Sequence, residues 1–337
     1  MTGRSEGYDL SFSNFVGTAR NANFGAILSV GLGCEVMQLP SLSGPRALRE
    51  EGRFEFLTIQ DAGGSDGTIA RGLESLSRLC AIADVAARST VHSSELIVGL
   101  ECGGSDGYSG TAANPALEHA SDLLVAKDGT TILSETPEIY GAEDLLMARA
   151  ERSDVAASQA ERIRWWEDYS ARNDAEMDSK PSPGNKRGEL TTILEESLGP
   201  VAKGGTVLLP AVYRYAEPVT TSGFVFMDSP GYGPCLVTRQ LASGTTLVDF
   251  TISQGSVSGL IPSPGTKLPT KSEPYARMPG DIDLDCRDIV RRGTSVREKG
   301  QEILRLILDI ASGTRSKSEK LGFGEVELVP CQIGAFV

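Results

Sequence analysis

Histidine is close to absent: the chain has two, His92 and His119, so a site assembled from several imidazoles is excluded. Cysteine is sparse and scattered. Cys34, Cys80, Cys102, Cys235, Cys286 and Cys331 lie far apart with no CxxC pair. That spacing excludes the dense disulfide framework of a small secreted domain and gives no sign of a zinc ribbon or ferredoxin-type cluster. Long apolar runs are missing too, so no segment reaches the ~20 residues that span a bilayer. The opening, MTGRSEGYDLSFSN, has neither a basic start nor an apolar core, which predicts a cytoplasmic protein with no membrane partner. Positive charge is short. Lys and Arg number 32 against 45 Asp and Glu, a formal net charge of -13, which disfavours a nucleic-acid partner because phosphate binding needs clustered cations. An anionic substrate would therefore need a local positive site.

What is present is the composition of an ordinary globular protein, 40% hydrophobic and 23% charged, long enough at 337 residues for one large or two medium domains. Residues 25–31, GAILSVG, form an apolar run that stops at the glycine turn GLGCE, which predicts a buried strand ending in a loop. Residues 68–86 carry apolar positions at helical spacing and lead, across a boundary near 88–94, to a second strand in SELIVGLE. The pattern then repeats. ELIVGLE runs into CGGSDGYSG and a helix opening at Asn114-Pro115, with Asn suited to the N-cap and Pro to the first helical position. TTILSE (130–135) runs into TPEIYG and a helix in EDLLMARAERS, and GTVLLPAV, GFVFMDSP and TLVDFTIS are three more β-rich runs. Strands alternating with helices predict an α/β fold with a mainly parallel, Rossmann-like sheet and flanking helices. Residues 173–188 and 261–281 read as long polar loops. A final helix near 296–312 presents Ile303, Leu304, Ile307 and Leu308 on one face.

Ligands of open parallel sheets bind beyond the carboxyl ends of the strands. That rule selects Cys34 and Glu35 after the first strand, Cys102 to Asp106 after the second, Glu135 to Glu138 after the third, Asp228 after the fourth and Gln254 to Ser256 after the fifth. In ECGGSDGYSGTAANP, Gly103, Gly104, Gly107 and Gly110 let backbone approach a ligand while Ser105, Asp106 and Ser109 supply oxygens. A glycine-rich turn with no ligand explains the same residues equally well. Glu135 and Glu138, flanking Pro137, suit acid/base work or cation binding, and equally suit a helix dipole. Lys186 in SPGNK could pair with a substrate carboxylate. His92 and His119 read as packing or surface residues. The pair Trp165 and Trp166 offers an anchor for a core or interface.

The strings NFGAILSVGLGCE, GLECGGSDGYSG with ANPAL, ILSETPEIYGAE, PSPGNK, LTTILEESLG, FMDSPGY and VPCQIGAF resemble, in that order, the altronate/galactarate dehydratase family of hydro-lyases. The resemblance implies dehydration of a sugar acid to a 2-keto-3-deoxy acid, dependent on Fe2+ or Mn2+; an Fe–S cluster, with Cys34 and Cys102 joined by Cys286 or by a cysteine of a partner, is the lesser alternative. By the same resemblance Cys34, Glu35 and Cys102 belong to the metal. Asp106, Glu135, Glu138 and Lys186 take catalytic roles, and Gly103, Gly104, Ser105, Ser109, Asn114, Asn185 and Asp228 bind substrate. Residues 1–90 correspond to part of a second, smaller α/β domain and 91–337 to the C-terminal dehydratase domain. The family also has a small N-terminal domain and a glycine-cysteine-glycine turn, which this sequence does not include; a separate small subunit and an oligomer are the expected partners. Departures accumulate: Asp144 stands where the family has histidine, Glu196 where it has lysine, and Ser253-Gln254-Gly255-Ser256 where it has Gly-Arg-Gly-Ser. They leave open a noncatalytic sugar-acid-binding or regulatory subunit, or a related sulfo-lyase subunit.

Overall fold

A computed structural model of the chain describes residues 6–38, 51–177, 186, 192–253, 255–256, 258–270, 272–325 and 327–329. The N-terminal part contains α1 (Glu6–Arg20), β1 (Ile27–Gly31), β2 (Phe54–Thr58) and α2 (Ser65–Ala83). β1 pairs with β2 in parallel as a sheet of its own, and α2 covers one face of it, with Gly72 against Leu28 and Leu57. α1 docks onto the larger part of the molecule.

That larger part contains β3 (Ile97–Cys102), α3 (Ala113–Val125), β4 (Thr130–Leu133), α4 (Ser153–Arg172), α5 (Ile193–Lys203), β5 (Val212–Tyr213), β6 (Gly223–Met227), α6 (Gly233–Ser243), β7 (Leu247–Ile252), β8 (Gly265–Pro269) and α7 (Val296–Ala311). All six strands run parallel in the order β5-β6-β4-β3-β7-β8. Both faces are covered, so the inner strands read as unbroken apolar runs such as GFVFM rather than alternating ones. On one face Val98, Leu100, Leu133, Phe224 and Phe226 pack with Leu117 and Leu124 of α3 and with Ile303 and Ile307 of α7. Each such side chain contributes about 1.5–3 kcal/mol when fully buried. On the other face α6 lies so close to β3 that a Cβ at Gly99 would sit 1.8 Å from Gln240 Oε1.

The ends of the helices follow local rules. Ser295 and Glu298 close a capping box on α7, and Thr192 with Glu195 does the same for α5. The expected cap at Asn114 is corrected. α3 begins two residues earlier, at Ala113 with Ala112 as its N-cap, and the Asn114 N–H donates to Ser109 O (3.1 Å), because the preceding turn supplies the acceptors. The stretch 261–281, read as loop, contains β8 and a short helix, Ser272–Arg277. β8 is an edge strand ending at Pro269, where proline is tolerated and hides the strand from pattern reading. Of GTVLLPAV only Val212 enters a strand; Pro210 interrupts the run, and Leu209 bridges to Ala150 instead. No helix among the described residues is long and apolar enough to cross a membrane.

Candidate functional site

The loops after β3, β4, β6, β7 and β8 open on one edge of the sheet because all these strands point the same way. The chain leaves β3 for α3 on one face and reaches β7 from α6 on the other, so the β3–β7 mouth is a topological switch point, the usual position for a ligand crevice. Glycine is required there for close approach. Gly103 N–H donates to Thr251 O (2.8 Å), and a Cβ on Gly103 would lie 2.6 Å from Ile252 Cγ2. Gly104 has φ +120°, a conformation that favours glycine.

Asp106 is buried inside this loop. One carboxylate oxygen accepts from Tyr108 N–H (2.9 Å) and Ser109 Oγ (3.3 Å), and the other accepts from Thr270 Oγ1 (2.5 Å) at the end of β8. With both oxygens engaged internally, Asp106 holds the glycine loop to the strand ends. Ser109 Oγ also accepts from Asp106 N–H (2.8 Å), and Ser105 Oγ contacts Cys102 Sγ at 3.1 Å.

After β4 the chain makes a short helical turn, Thr136–Ile139, entered through Glu135 with φ +71° and ψ +78°. A left-handed conformation at a buried non-glycine residue costs on the order of 1–3 kcal/mol and persists where neighbours enforce it. Here Ser229 enforces it. Its Oγ accepts from Glu135 N–H (2.9 Å) and its carbonyl from Thr136 N–H (3.0 Å). Asp228, one residue earlier, accepts from Thr136 Oγ1 (2.6 Å) and Trp166 Nε1 (2.7 Å), with Arg162 Nη1 4.0 Å away. Burial raises the Asp228 pKa, while those hydrogen bonds and the charges of Arg162 and Arg239 pull it back. Its bonds thus go to the turn that carries Glu135, and Trp166 is the core anchor expected of the tryptophan pair.

Glu135, Glu138 and Cys102 share one electrostatic neighbourhood with a residue that sequence reasoning missed, Lys203 at the end of α5. Lys203 is 1% exposed. Burial alone would lower its pKa, yet the acidic groups of Cys102, Glu138, Glu135 and Glu101 outweigh that and raise it, so the ammonium stays charged. Burial pushes the Cys102 thiol up, reinforced by Glu138 and opposed by Lys203. Glu101 is fully buried, with neither carboxylate oxygen hydrogen-bonded among the described residues. Burial drives its pKa well above the usual carboxylate range. The arrangement pairs a fixed cation with two buried carboxylates and a protonated thiol, the last of them partly exposed. Those are the elements of proton transfer beside an anion.

Residues 93–335 match the family described as D-galactarate/Altronate dehydratase, C-terminal, and residues 1–84 match that described as D-galactarate dehydratase/Altronate hydrolase, second domain. The chain belongs to the galactarate/altronate dehydratase family. It is 33% identical over 310 residues to the altronate dehydratase of Escherichia coli (strain K12), covering 92% of this chain and 61% of that protein. It is also 33% identical over 302 residues to the galactarate dehydratase (L-threo-forming) of the same organism, covering 88% and 58%. To the (2R)-sulfolactate sulfo-lyase subunit beta of Chromohalobacter salexigens it is 32% identical over 330 residues, covering 95% and 82%. The chain thus spans about three fifths of the dehydratases it matches.

The remaining expected site residues of this dehydratase-family chain are dispersed. β1 lies in the two-stranded sheet, so Cys34 and Glu35 follow a strand of a different sheet from Cys102, which corrects the expectation of one shared edge. Cys34 is exposed, and Glu35 turns back to accept from Gly33 N–H. Cys286 is buried in the apolar core, where burial raises its thiol to about 12, a poor setting for a cluster ligand. Among the described residues no three His, Cys, Asp or Glu side chains are grouped to hold a metal ion, so the donor set for Fe2+ or Mn2+ is not assembled from them. Lys186 is exposed and Asn185 lies outside the described residues. Asn114 is fully buried against Gly199 of α5, with no hydrogen-bond partner for its amide among the described residues. His119 packs on Gly300 of α7, and His92 Nδ1 accepts from Ser94 N–H (3.3 Å); neither reaches the strand ends. Lys203 escaped notice because a lysine in a last helical turn is what the helix dipole alone favours.

Proposed function

We propose that this chain is the catalytic part of a hydro-lyase that removes water from a polyhydroxy carboxylate, giving a 2-keto-3-deoxy acid. The observation that carries this reading is the gathering of Cys102, Glu135 and Glu138 around the buried Lys203 at the ends of β3 and β4. A C–H bond next to a carboxylate is weakly acidic, so a base must act beside a positive group that stabilises the enediolate as it forms. In this scheme a carboxylate of the Glu135/Glu138 pair takes the proton from C2, and the field of Lys203 favours the charge that develops. The Cys102 thiol, which burial keeps protonated, gives its proton to the C3 hydroxyl as the C–O bond breaks. Water leaves, a C2–C3 double bond forms, and the enol takes a proton at C3 to become the 2-keto acid. No step is routed through a metal, since the described residues do not gather its ligands.

A sulfo-lyase reading is favoured by one observation: the chain covers 82% of the sulfolactate sulfo-lyase subunit it matches, against 61% of the altronate dehydratase. Removal of the C2 proton is common to both reactions, and the leaving group differs. The test incubates purified protein, with and without Fe2+ or Mn2+ under reducing conditions, with aldonates, aldarates and (2R)-sulfolactate. A 2-keto-3-deoxy product that disappears in Glu135→Gln is the expected result. Sulfite release would move the assignment to the sulfo-lyase, and no product from any substrate under any condition would overturn both.

A further inference from the structure

α1 is separated in sequence by some two hundred residues from the parts it touches, yet it packs on α6 at a distance that only glycine permits. A Cβ on Gly17 would lie 2.2 Å from Ala242 O. Asparagines flank this contact. Asn21 Nδ2 donates to Leu241 O and Thr245 O (both 2.9 Å), and the buried Asn14 Nδ2 donates to Tyr215 Oη (3.0 Å). Asn14 ties α1 to a loop just beyond β5, at the carboxyl edge of the sheet.

Tyr215 is in turn covered by a buried cation. The Arg239 guanidinium carbon lies 3.3 Å from the centroid of its ring, and Arg239 is 0% exposed. A guanidinium stacked on a ring face away from water is attracted by the ring's negative face, so ring and cation hold each other in place. Arg239 is one of two arginines whose charge acts on Asp228, the other being Arg162. Asp228 receives Thr136 Oγ1, and its neighbour Ser229 receives Glu135 N–H. Next to Arg239 on α6, Gln240 Nε2 donates to Ser134 Oγ (3.0 Å), one residue before the left-handed Glu135, so the helix that carries Arg239 is bonded directly to the Glu135 turn.

We infer that Asn14, Tyr215 and Arg239 are positioning residues that transmit the seating of α1 to the Glu135 turn, so that the N-terminal helix sets the geometry of a site it does not touch. If Asn14 lets go, the Tyr215 loop is freer, Arg239 loses its platform on α6, and the neighbouring Gln240 bond to Ser134 loosens with that helix. The strained turn that begins at Glu135 then loses a restraint on its entering residue, Ser134. The kinetic consequence rests on the reading of Glu135 as catalytic; the structural consequence does not.

Hydrogen exchange with mass spectrometry, under conditions where exchange follows the opening equilibrium, separates the two. Tyr215→Phe keeps the ring under Arg239 and removes the hydroxyl with its bonds to both Asn14 and Arg239; Asn14→Ala removes the Asn14 bond alone. The expected result is roughly tenfold faster exchange in residues 134–140 for Asn14→Ala, the effect of losing one buried hydrogen bond, and a larger increase for Tyr215→Phe, which loses two, with α7 (296–311) as protected as in the wild type. Arg239→Leu is expected to give the same pattern more strongly. Unchanged exchange at 134–140 in Tyr215→Phe with α1 loosened would overturn the link. Loss of protection in α7 as well would overturn it too, by showing general destabilisation. Where the wild type turns over a substrate, kcat falls in both single variants while KM is held. A wild type without activity removes the proposed function and leaves the exchange result to decide this inference.

Discussion

Asp249 provides the sharpest test of the energetics. It lies in the middle of β7, fully buried, with one oxygen accepting from Thr266 Oγ1 and the other without a partner among the described residues. Burial, helped by the like charge of Asp283 and opposed by the Thr266 bond, lifts its pKa from the ordinary 3.8 to about 7. A carboxyl whose pKa is higher in the fold than in the unfolded chain binds its proton more tightly when folded. Its contribution is therefore fully present below about pH 4 and is lost as pH rises toward 7. The whole rise of about three pH units corresponds to about 4 kcal/mol, and the share lost between pH 5 and pH 8.5 is about 3 kcal/mol. Asp249→Asn keeps the acceptor for Thr266 and cannot ionise. Urea unfolding at pH 5 and pH 8.5 is the assay. The wild type should lose about 3 kcal/mol more than Asp249→Asn across that interval, because every other titrating group is common to both. Equal losses in the two proteins would refute the claim that Asp249 is neutral in the fold.

Three further outcomes follow from the same contacts. Lys203→Met strips the cation from among Cys102, Glu135 and Glu138, and is expected to cost about 3–5 kcal/mol in urea unfolding, as for a buried charge left uncompensated, and to abolish turnover; a stable, active variant would remove Lys203 from the site. Trp166→Phe removes the Nε1 donor to Asp228, with an expected loss of about 1.5–3 kcal/mol and a lower kcat; neutrality in both would show that Asp228 holds the Glu135 turn without it. Ser295→Ala opens the capping box of α7, far from the strand ends, and should lower stability by about 1 kcal/mol while leaving kinetic constants unchanged.

How much of this was legible beforehand differs by level. Alternation of apolar runs with helical periodicity predicted a parallel α/β sheet, and the strand-end rule placed Cys102, Glu135, Glu138 and Asp228 on its carboxyl edge. Such signals are local: each strand announces itself by its own side chains, and parallel strands must deliver their loops to the same side. The motifs around the glycine loop and SETPEIYGAE also carried the family. Sequence alone therefore determined the class of fold, the edge on which to look and the kinship of the chain.

Tertiary structure decided the rest. Whether β1 joins the main sheet is a pairing choice made at long range, and it sets Cys34 and Glu35 after a strand of a different sheet from Cys102. Which carboxylates keep their oxygens available depends on donors far away in the chain: Thr270 engages Asp106 across 164 residues, and Trp166 engages Asp228 across 62. Lys203 looks like any helix-ending lysine until α5 is packed against the strand ends, where burial and four acidic neighbours give its charge a role. A residue's chemistry is written in its side chain, but its protonation and its partners come from the groups that folding places around it.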